Sequence, residues 1–333
     1  MHLDQLKRRE FITLLGGAAA AWPLAAQAQQ TAMPVIGVMS PLSAATAARN
    51  LAALRNGLRD LGYNEGRNIK IEYRFADGAP ERYPALMAEL IALNPVLIVV
   101  GSTPAIVAAS KVTRTTPLVW VGVADNPVAL GLVGSFAHPG GNITGFLMSG
   151  DAGIVGKRLE LLREAAPRFS RVGVLVAPDY AAADGTLDAL PSAARGLGLD
   201  ARVYEARGAA DIETALTAAG RDGVQALYVS QSPVFLHRRA EIIGRVASLR
   251  LPAMYFFREF VQSGGLLSYG SDLPDMYRRA GVYIDKILKG ASPNELPVQS
   301  AEKFELAVNL KTAKALGLTI SESFLLRADE VIE

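Results

Sequence analysis

The chain contains no cysteine and, in 333 residues, three histidines. Without thiols it can build no disulfide framework, no thiol nucleophile and no thiolate metal site. Charge of one sign is equally scarce. The 34 Lys and Arg against 32 Asp and Glu leave a net charge of +2, no surplus with which to grip a nucleic-acid backbone. There is no G-x-x-x-x-G-K-[ST] loop, no G-x-G-x-x-G after a strand and no G-x-S-x-G elbow. A phosphate cradle with its lysine, a nicotinamide fingerprint and a hydrolase nucleophile are therefore all missing. His138 lies in the turn "AHPGG" and His237 stands beside Arg238 and Arg239; neither has a ligand partner at i+4, so neither reads as a metal ligand or a general base. The expectation is no catalytic residue, no metal, no cofactor and no enzyme.

What is present begins with an export signal. Lys7, Arg8 and Arg9 precede Phe11, an apolar Gly/Ala-rich run "LLGGAAAAWPLAA" follows, and Ala26-Gln27-Ala28 is a small-x-small cleavage pattern. The run of about 15 apolar residues is short for a bilayer span, and the paired arginines are similar to a twin-arginine signal. Cleavage after about Ala28 is expected, with release to the periplasm. A lipid anchor would need a cysteine, so a freely diffusing product is expected. Loss of residues 1–28 removes Lys7, Arg8, Arg9, Asp4 and Glu10 and leaves the remainder close to neutral. No later run is long enough to span a membrane, so stable membrane insertion is not expected.

The remaining roughly 305 residues exceed what one core usually serves, so two lobes are expected. Short β-rich runs alternate with helical segments, the pattern of a parallel sheet covered on both faces. "PVIGVMS", "NIKIEYRF", "VLIVVGS" and "TPLVWVGV" read as strands, and Leu51, Leu54, Leu58 and Leu61 mark one apolar helix face that ends at Gly62. Near residue 145 the rhythm restarts. Val155, Leu159, Leu162 and Ala166 mark a helix, and "RVGVLVA", "ARVYEA", "ALYVS", "LPAMYF" and "GGLLSYG" read as strands. An amphipathic helix over about 272–289, the strand "EKFELAVN" and a terminal helix complete the chain. The fold class is α/β: two Rossmann-like lobes with parallel sheets joined by more than one crossover. One lobe is expected over 31–145 plus about 272–298, the other over 146–271 plus about 299–333.

In open parallel sheets the ligand lies beyond the carboxyl ends of the strands, and two such lobes facing each other place those ends in a cleft. The residues there are Ser40, Pro41 and Ser43, then Gly101, Ser102 and Thr103, then Asp125 and Asn126. The second half adds Asp179, Tyr180, Ser230, Gln231, Ser232, Tyr255, Phe256 and Tyr269. Hydroxyls, amides, rings and a few carboxylates suit holding a small polar molecule better than transforming one. Two plainer roles stay open: the Ser, Thr, Asp and Asn residues also suit helix caps, and Tyr180, Tyr255 and Tyr269 equally suit a core.

The segment "NPVALGLVGSFAHPGGNITG" (126–145), with "SGGLLSYGSD", "ILKGASPNELPVQ" and "FELAVNLKTAKALGL", resembles the signatures of an ABC-transporter substrate-binding protein family related to tryptophan-binding lipoproteins. The resemblance implies a type I periplasmic-binding-protein fold, two lobes closing on a small-molecule ligand, and delivery to a membrane permease powered by a separate ATPase. The resemblance names the class and not the cargo; a monomer that carries an amino acid or related small carboxylate is expected. On that reading Ser102, Thr103 and the first N–H groups of the following helix take a carboxylate, Asp125 an ammonium group, and Tyr180, Tyr255 or Phe256 cover an apolar side chain. A secreted ligand sensor reporting to a receptor, or an enzyme of unrecognised type, are the alternatives.

Overall fold

The computed structural model describes residues 33–123, 126–148, 153–178 and 185–333. The export signal, Asp125, Asp179 and Tyr180 lie outside these described residues. Val35 to Glu333 form one compact unit.

A first sheet is built from β1 (Val35–Ser40), β2 (Lys70–Phe75), β3 (Leu97–Gly101), β4 (Leu118–Val123), β5 (Ile143–Leu147) and β11 (Gln299–Ser300), in the order β11-β5-β4-β3-β1-β2. Every neighbouring pair in it is parallel. The second holds β6 (Arg171–Val176), β7 (Asp200–Glu205), β8 (Ala226–Val229), β9 (Ala253–Tyr255), β10 (Leu267–Ser271), β12 (Phe304–Asn309) and β13 (Glu330–Ile332), in the order β13-β12-β10-β9-β8-β6-β7. It is parallel except where β12 runs against β10. The central strands β3 and β4 are buried along their whole length. That is why they read as unbroken apolar runs rather than as alternation. The outer strands β2 and β7 carry exposed charge, as at Lys70 and Arg202, which discourages further pairing at the edges.

Helices connect and cover the sheets: α1 (Ala44–Asp60), α2 (Tyr83–Ala92), α3 (Thr103–Val112), α4 (Gly153–Ala165), α5 (Thr186–Gly196), α6 (Ala209–Arg221), α7 (Pro233–His237), α8 (Arg239–Ser248), α9 (Arg258–Gln262), α10 (Leu273–Leu288), α11 (Leu310–Ala315) and α12 (Glu322–Leu325). On α1 the residues Leu51, Leu54 and Leu58 are buried, each contributing roughly 1.5–3 kcal/mol of burial. Leu61 departs from the expected apolar face and is 39% exposed. It is the C-cap, past the last helical turn, and Gly62 follows at φ +89°. Val155, Leu159 and Leu162 are buried in one cluster with the second sheet, and Ala166 is buried as well.

The chain passes from β5 to β6, returns after β10 through α10 to β11, and passes again from β11 to β12. Helix α10 starts at Asp272, whose side chain accepts a hydrogen bond from the Asp275 N–H, and packs on α1. The packing is backbone to backbone. A Cβ added to Gly57 would sit 2.3 Å from the Arg278 carbonyl oxygen, and one added to Gly281 would sit 3.0 Å from the Gly57 carbonyl carbon. One apolar cluster runs from Val99 and Val121 of the first sheet through Tyr277 of α10 to Val229 and Tyr255 of the second.

The terminal stretch differs from the expected single helix. Two short helices, α11 and α12, are separated by Gly317 at φ +70°, and β13 then adds to the second sheet beside β12.

Candidate functional site

In the first sheet the chain winds one way from β1 to β2 and the other way to β3; in the second it does the same from β6 to β7 and to β8. Loops that follow the strands on either side of such a reversal diverge and leave a crevice. A pocket lies there, with about 520 Å³ of non-atom space including solvent at its mouth. The first sheet contributes Pro41, Gly101, Ser102, Thr103 and Gly122, the second Gln231, Ser232 and Phe257, and α10 contributes Leu273 and Tyr277. The wall is predominantly apolar, and none of the described residues lining it is charged.

Gly101 is there because nothing larger fits: a Cβ would approach the Tyr277 hydroxyl to 2.9 Å and Pro41 Cδ to 3.0 Å. Burial pushes the Tyr277 hydroxyl up to about 12, so the phenol stays neutral. Ser102 adopts φ +78° and ψ 152°, a region that is nearly glycine-only. Although it precedes α3 at the N-cap position, its side chain caps nothing, and its buried hydroxyl oxygen has no hydrogen-bond partner. Pro104 carries no N–H, so the first turn of α3 offers fewer backbone donors than most, and the helix dipole favours an anion beside it. Two further residues that line the pocket, Asn50 and Gln231, have side-chain oxygens that are buried and unpaired.

Of the residues proposed from sequence, Gly101, Ser102 and Thr103 meet in this pocket, joined by Pro41, Gln231 and Ser232. The others among the described residues do not line it. Ser40 accepts from the Leu42 N–H at 3.1 Å. Ser43 caps α1, accepting from the Thr46 N–H at 3.3 Å. Asn126 is exposed and accepts from the N–H groups of Val128 and Ala129 at 3.1 and 3.3 Å. Ser230 is buried with an unpaired hydroxyl. Tyr255 stacks on Phe260, ring centroids 4.5 Å apart, and burial raises its hydroxyl pKa. Phe256 packs edge-on to Phe257 at 4.7 Å and lies under the Arg158 guanidinium at 4.4 Å. Tyr269 stacks against Phe304 at 5.9 Å. Of the three consecutive rings at 255–257, Phe257 lines the pocket, where it joins Tyr277.

Asn50, Phe257 and Tyr277 were not anticipated. Asn50 left one signal: it is a polar residue among Ala47, Leu51 and Leu54 on the buried face of α1. The motif "NPVALGLVGSFAHPGGNITG" does structural work away from the pocket. Gly134 N–H bonds Pro139 O at 2.7 Å, the Asn142 side-chain amide bonds Thr116 O at 2.7 Å, and the Thr144 hydroxyl bonds Leu296 O at 2.6 Å. These bonds fold the β4–β5 connection and tie it to the segment after α10.

An ion network ties α1 to the second sheet. Arg49 on α1 reaches Glu305 of β12 at 3.0 Å, Arg258 holds the other Glu305 oxygen at 3.0 Å, and Arg258 also pairs with Glu330. Among the described residues, no group of three His, Cys, Asp or Glu stands close enough to hold a metal, and no helix is long and apolar enough to cross a membrane.

Two doubly wound sheets with a pocket between their carboxyl ends define a type I periplasmic-binding-protein fold. A family model described as ABC transporter substrate binding protein matches residues 35–332, and the chain belongs to that family. A protein named tyrosine-binding protein from Clostridioides difficile (strain R20291) is 27% identical over 263 residues, covering 78% of this chain and 74% of that protein. A domain from Streptococcus pneumonia solved in complex with L-Trp superposes with a TM-score of 0.82 at 25% identity, covering 90% of this chain and 99% of that one. A conserved domain protein from Vibrio cholerae superposes equally well, with a TM-score of 0.82 at 26% identity over the same shares.

Proposed function

We propose that this chain is the solute-binding component of an ABC importer, exported to the periplasm through its Arg8-Arg9 signal, and that it captures an amino acid or related small carboxylate between its lobes. The observation that carries this is Ser102. A buried hydroxyl without a partner, held in a strained backbone at the head of α3 on a residue that lines an uncharged pocket, suits one carboxylate received by neutral donors. No lysine or arginine lines the described pocket, which disfavours a phosphorylated ligand. Leu236, Phe257, Leu273 and Met148 give an apolar side chain its surroundings. The L-Trp complex and the tyrosine-binding relative support the same ligand class. On this reading the protein acts as a monomer and hands its cargo to a permease driven by a separate ATPase; it transforms nothing.

A thermal-shift screen of the purified protein against the common amino acids tests the proposal. A ligand at a hundred times its Kd stabilises the folded state by about 2.7 kcal/mol, so at least one should raise Tm by several degrees. A flat response across the set would overturn the amino-acid reading.

A further inference from the structure

The stretch Ala76-Asp77-Gly78-Ala79-Pro80 after β2 has the composition of a turn, and the backbone turns there, with Asp77 at φ +54° and Gly78 at φ +76°. Two bonds pin it to the segment after β1: the Ala76 N–H donates to Ser40 O at 2.9 Å and the Gly78 N–H to Pro41 O at 2.8 Å. Pro41 and Leu42 line the pocket. Against this turn stands the end of α7, which follows β8 of the second sheet. Ser232 caps that helix, Pro233 and Leu236 line the pocket, and the exposed His237 is the last helical residue. The two segments meet. A Cβ added to Gly78 would lie 3.0 Å from both Cβ and Cγ of His237 and 3.3 Å from Cδ2, so no side chain fits at position 78 without displacing His237.

We infer that the contact between Gly78 and His237 is the gate of the pocket, made when the two halves close and broken to let a solute in or out. The topology puts it where a gate moves furthest. The chain leaves the first sheet for the second from β5 and from β11, which sit together at one edge, and it returns to that edge through α10; β2 is the opposite edge. Bending at the crossovers therefore displaces the turn after β2 the most. Each partner is one link from the pocket wall, His237 through Leu236 and Gly78 through Pro41, so movement of either carries the wall with it. The touch of a glycine on an imidazole is van der Waals contact, weak atom by atom, and shuts the opening without locking it. Glycine is needed twice over at 78, for the positive φ and for the close approach. The inference rests on the reading of a solute held between closing halves and adds the place where that solute enters.

The chain has no cysteine of its own, so Gly78→Cys combined with His237→Cys gives a clean test. A disulfide needs about 3.5–4.5 Å between its Cβ atoms, a small widening of this approach. Oxidation should consume both thiols, and the Ser102 and Thr103 amides of the oxidised chain should exchange their hydrogens roughly tenfold more slowly than those of the reduced chain, a readout that needs no ligand. L-tryptophan and L-tyrosine serve as probes of passage. Whichever binds the wild type, its release from protein oxidised after loading should slow roughly 100-fold or more and recover on reduction. Gly78→Asn covers a cysteine pair that fails to fold. Asparagine tolerates a positive φ, so the variant keeps the turn and spoils only the approach; exchange at Ser102 and Thr103 should quicken, and His237→Gly in the same chain should bring it back. Thiols that stay free in a folded protein, or exchange and release that are the same before and after oxidation, would overturn the gate. If neither amino acid binds the wild type, the amino-acid reading fails while slowed amide exchange still upholds the gate and unchanged exchange overturns it.

Discussion

Replacing Ser102 by glycine should stabilise the ligand-free protein and weaken its hold on the ligand. The backbone at φ +78°, ψ 152° costs a non-glycine residue about 1–3 kcal/mol, and the unpaired buried hydroxyl adds about 1 kcal/mol or more. Glycine relieves both terms and returns about 0.5–1 kcal/mol through the greater freedom of the unfolded chain. The net gain is about 1–3 kcal/mol, which for a protein of this size raises Tm by roughly 2–4 °C per kcal/mol. Scanning calorimetry without ligand reads it. Ser102→Ala separates the terms: the strain stays, the hydroxyl goes, and Tm should rise by less than for glycine. Both variants should bind the ligand roughly 10- to 150-fold more weakly, the equivalent of about 1.5–3 kcal/mol for a bond to a charged group. A glycine variant with lower Tm, or one with unchanged affinity, would refute the reasoning, since the strain would then not be held for the ligand.

Other expectations follow from the packing and the charges. Gly57→Ala should lose about 1–3 kcal/mol or more by urea unfolding, because its Cβ would meet the Arg278 carbonyl oxygen at 2.3 Å; Gly196→Ala, with nothing within 4 Å, should be close to neutral, and equal losses in both would contradict the α1–α10 contact. Asp285 accepts from Lys289 and from Tyr63 at 2.9 Å, and the Lys289 bond first, then Tyr63, hold its pKa below 3.8. Its contribution is therefore present above 3.8 and lost as pH falls through the depressed value, so the stability gap between wild type and Asp285→Asn should narrow on acidification through that window; a gap that stays constant would argue against it. Arg49→Ala removes an ion pair whose arginine is 41% exposed and should lower stability by less than about 1 kcal/mol, with small-angle scattering showing a larger radius of gyration at low salt as the lobes part; an unchanged radius would mean that the pair does not hold them together.

Much of the architecture was legible because burial writes a simple pattern. Strands covered on both faces read as "LIVVG" and "LVWVGV", and the amphipathic stripes of α1, α4 and α10 have helical spacing. The elements that escaped are short or set by distant partners. β11 has two residues and β13 three, too few for any periodicity, and the direction of β12 follows from its pairing with β10 rather than from its residues. At the site, Gly101-Ser102-Thr103 stood out as small and hydroxyl residues between a strand and a helix. Rings were harder. Tyr255, Phe256 and Phe257 are consecutive at the end of β9, and a shift of one residue moves a side chain to the other face, so nothing local distinguishes Phe257, which lines the pocket, from its two neighbours. Ser40, Ser43 and Asn126 have the composition of ligand contacts and the geometry of caps and turns, and only their hydrogen bonds tell the two apart.

The central claim is that the pocket between the two sheets holds an amino acid by neutral groups from both. A crystal structure of the protein with the best-binding amino acid measures this directly. The account predicts a carboxylate oxygen within about 2.7–3.1 Å of Ser102 Oγ or of a first-turn N–H of α3, with the apolar side chain against Phe257 and Leu236. A ligand seated outside this pocket, or inside it with its carboxylate turned away from α3, would contradict the account.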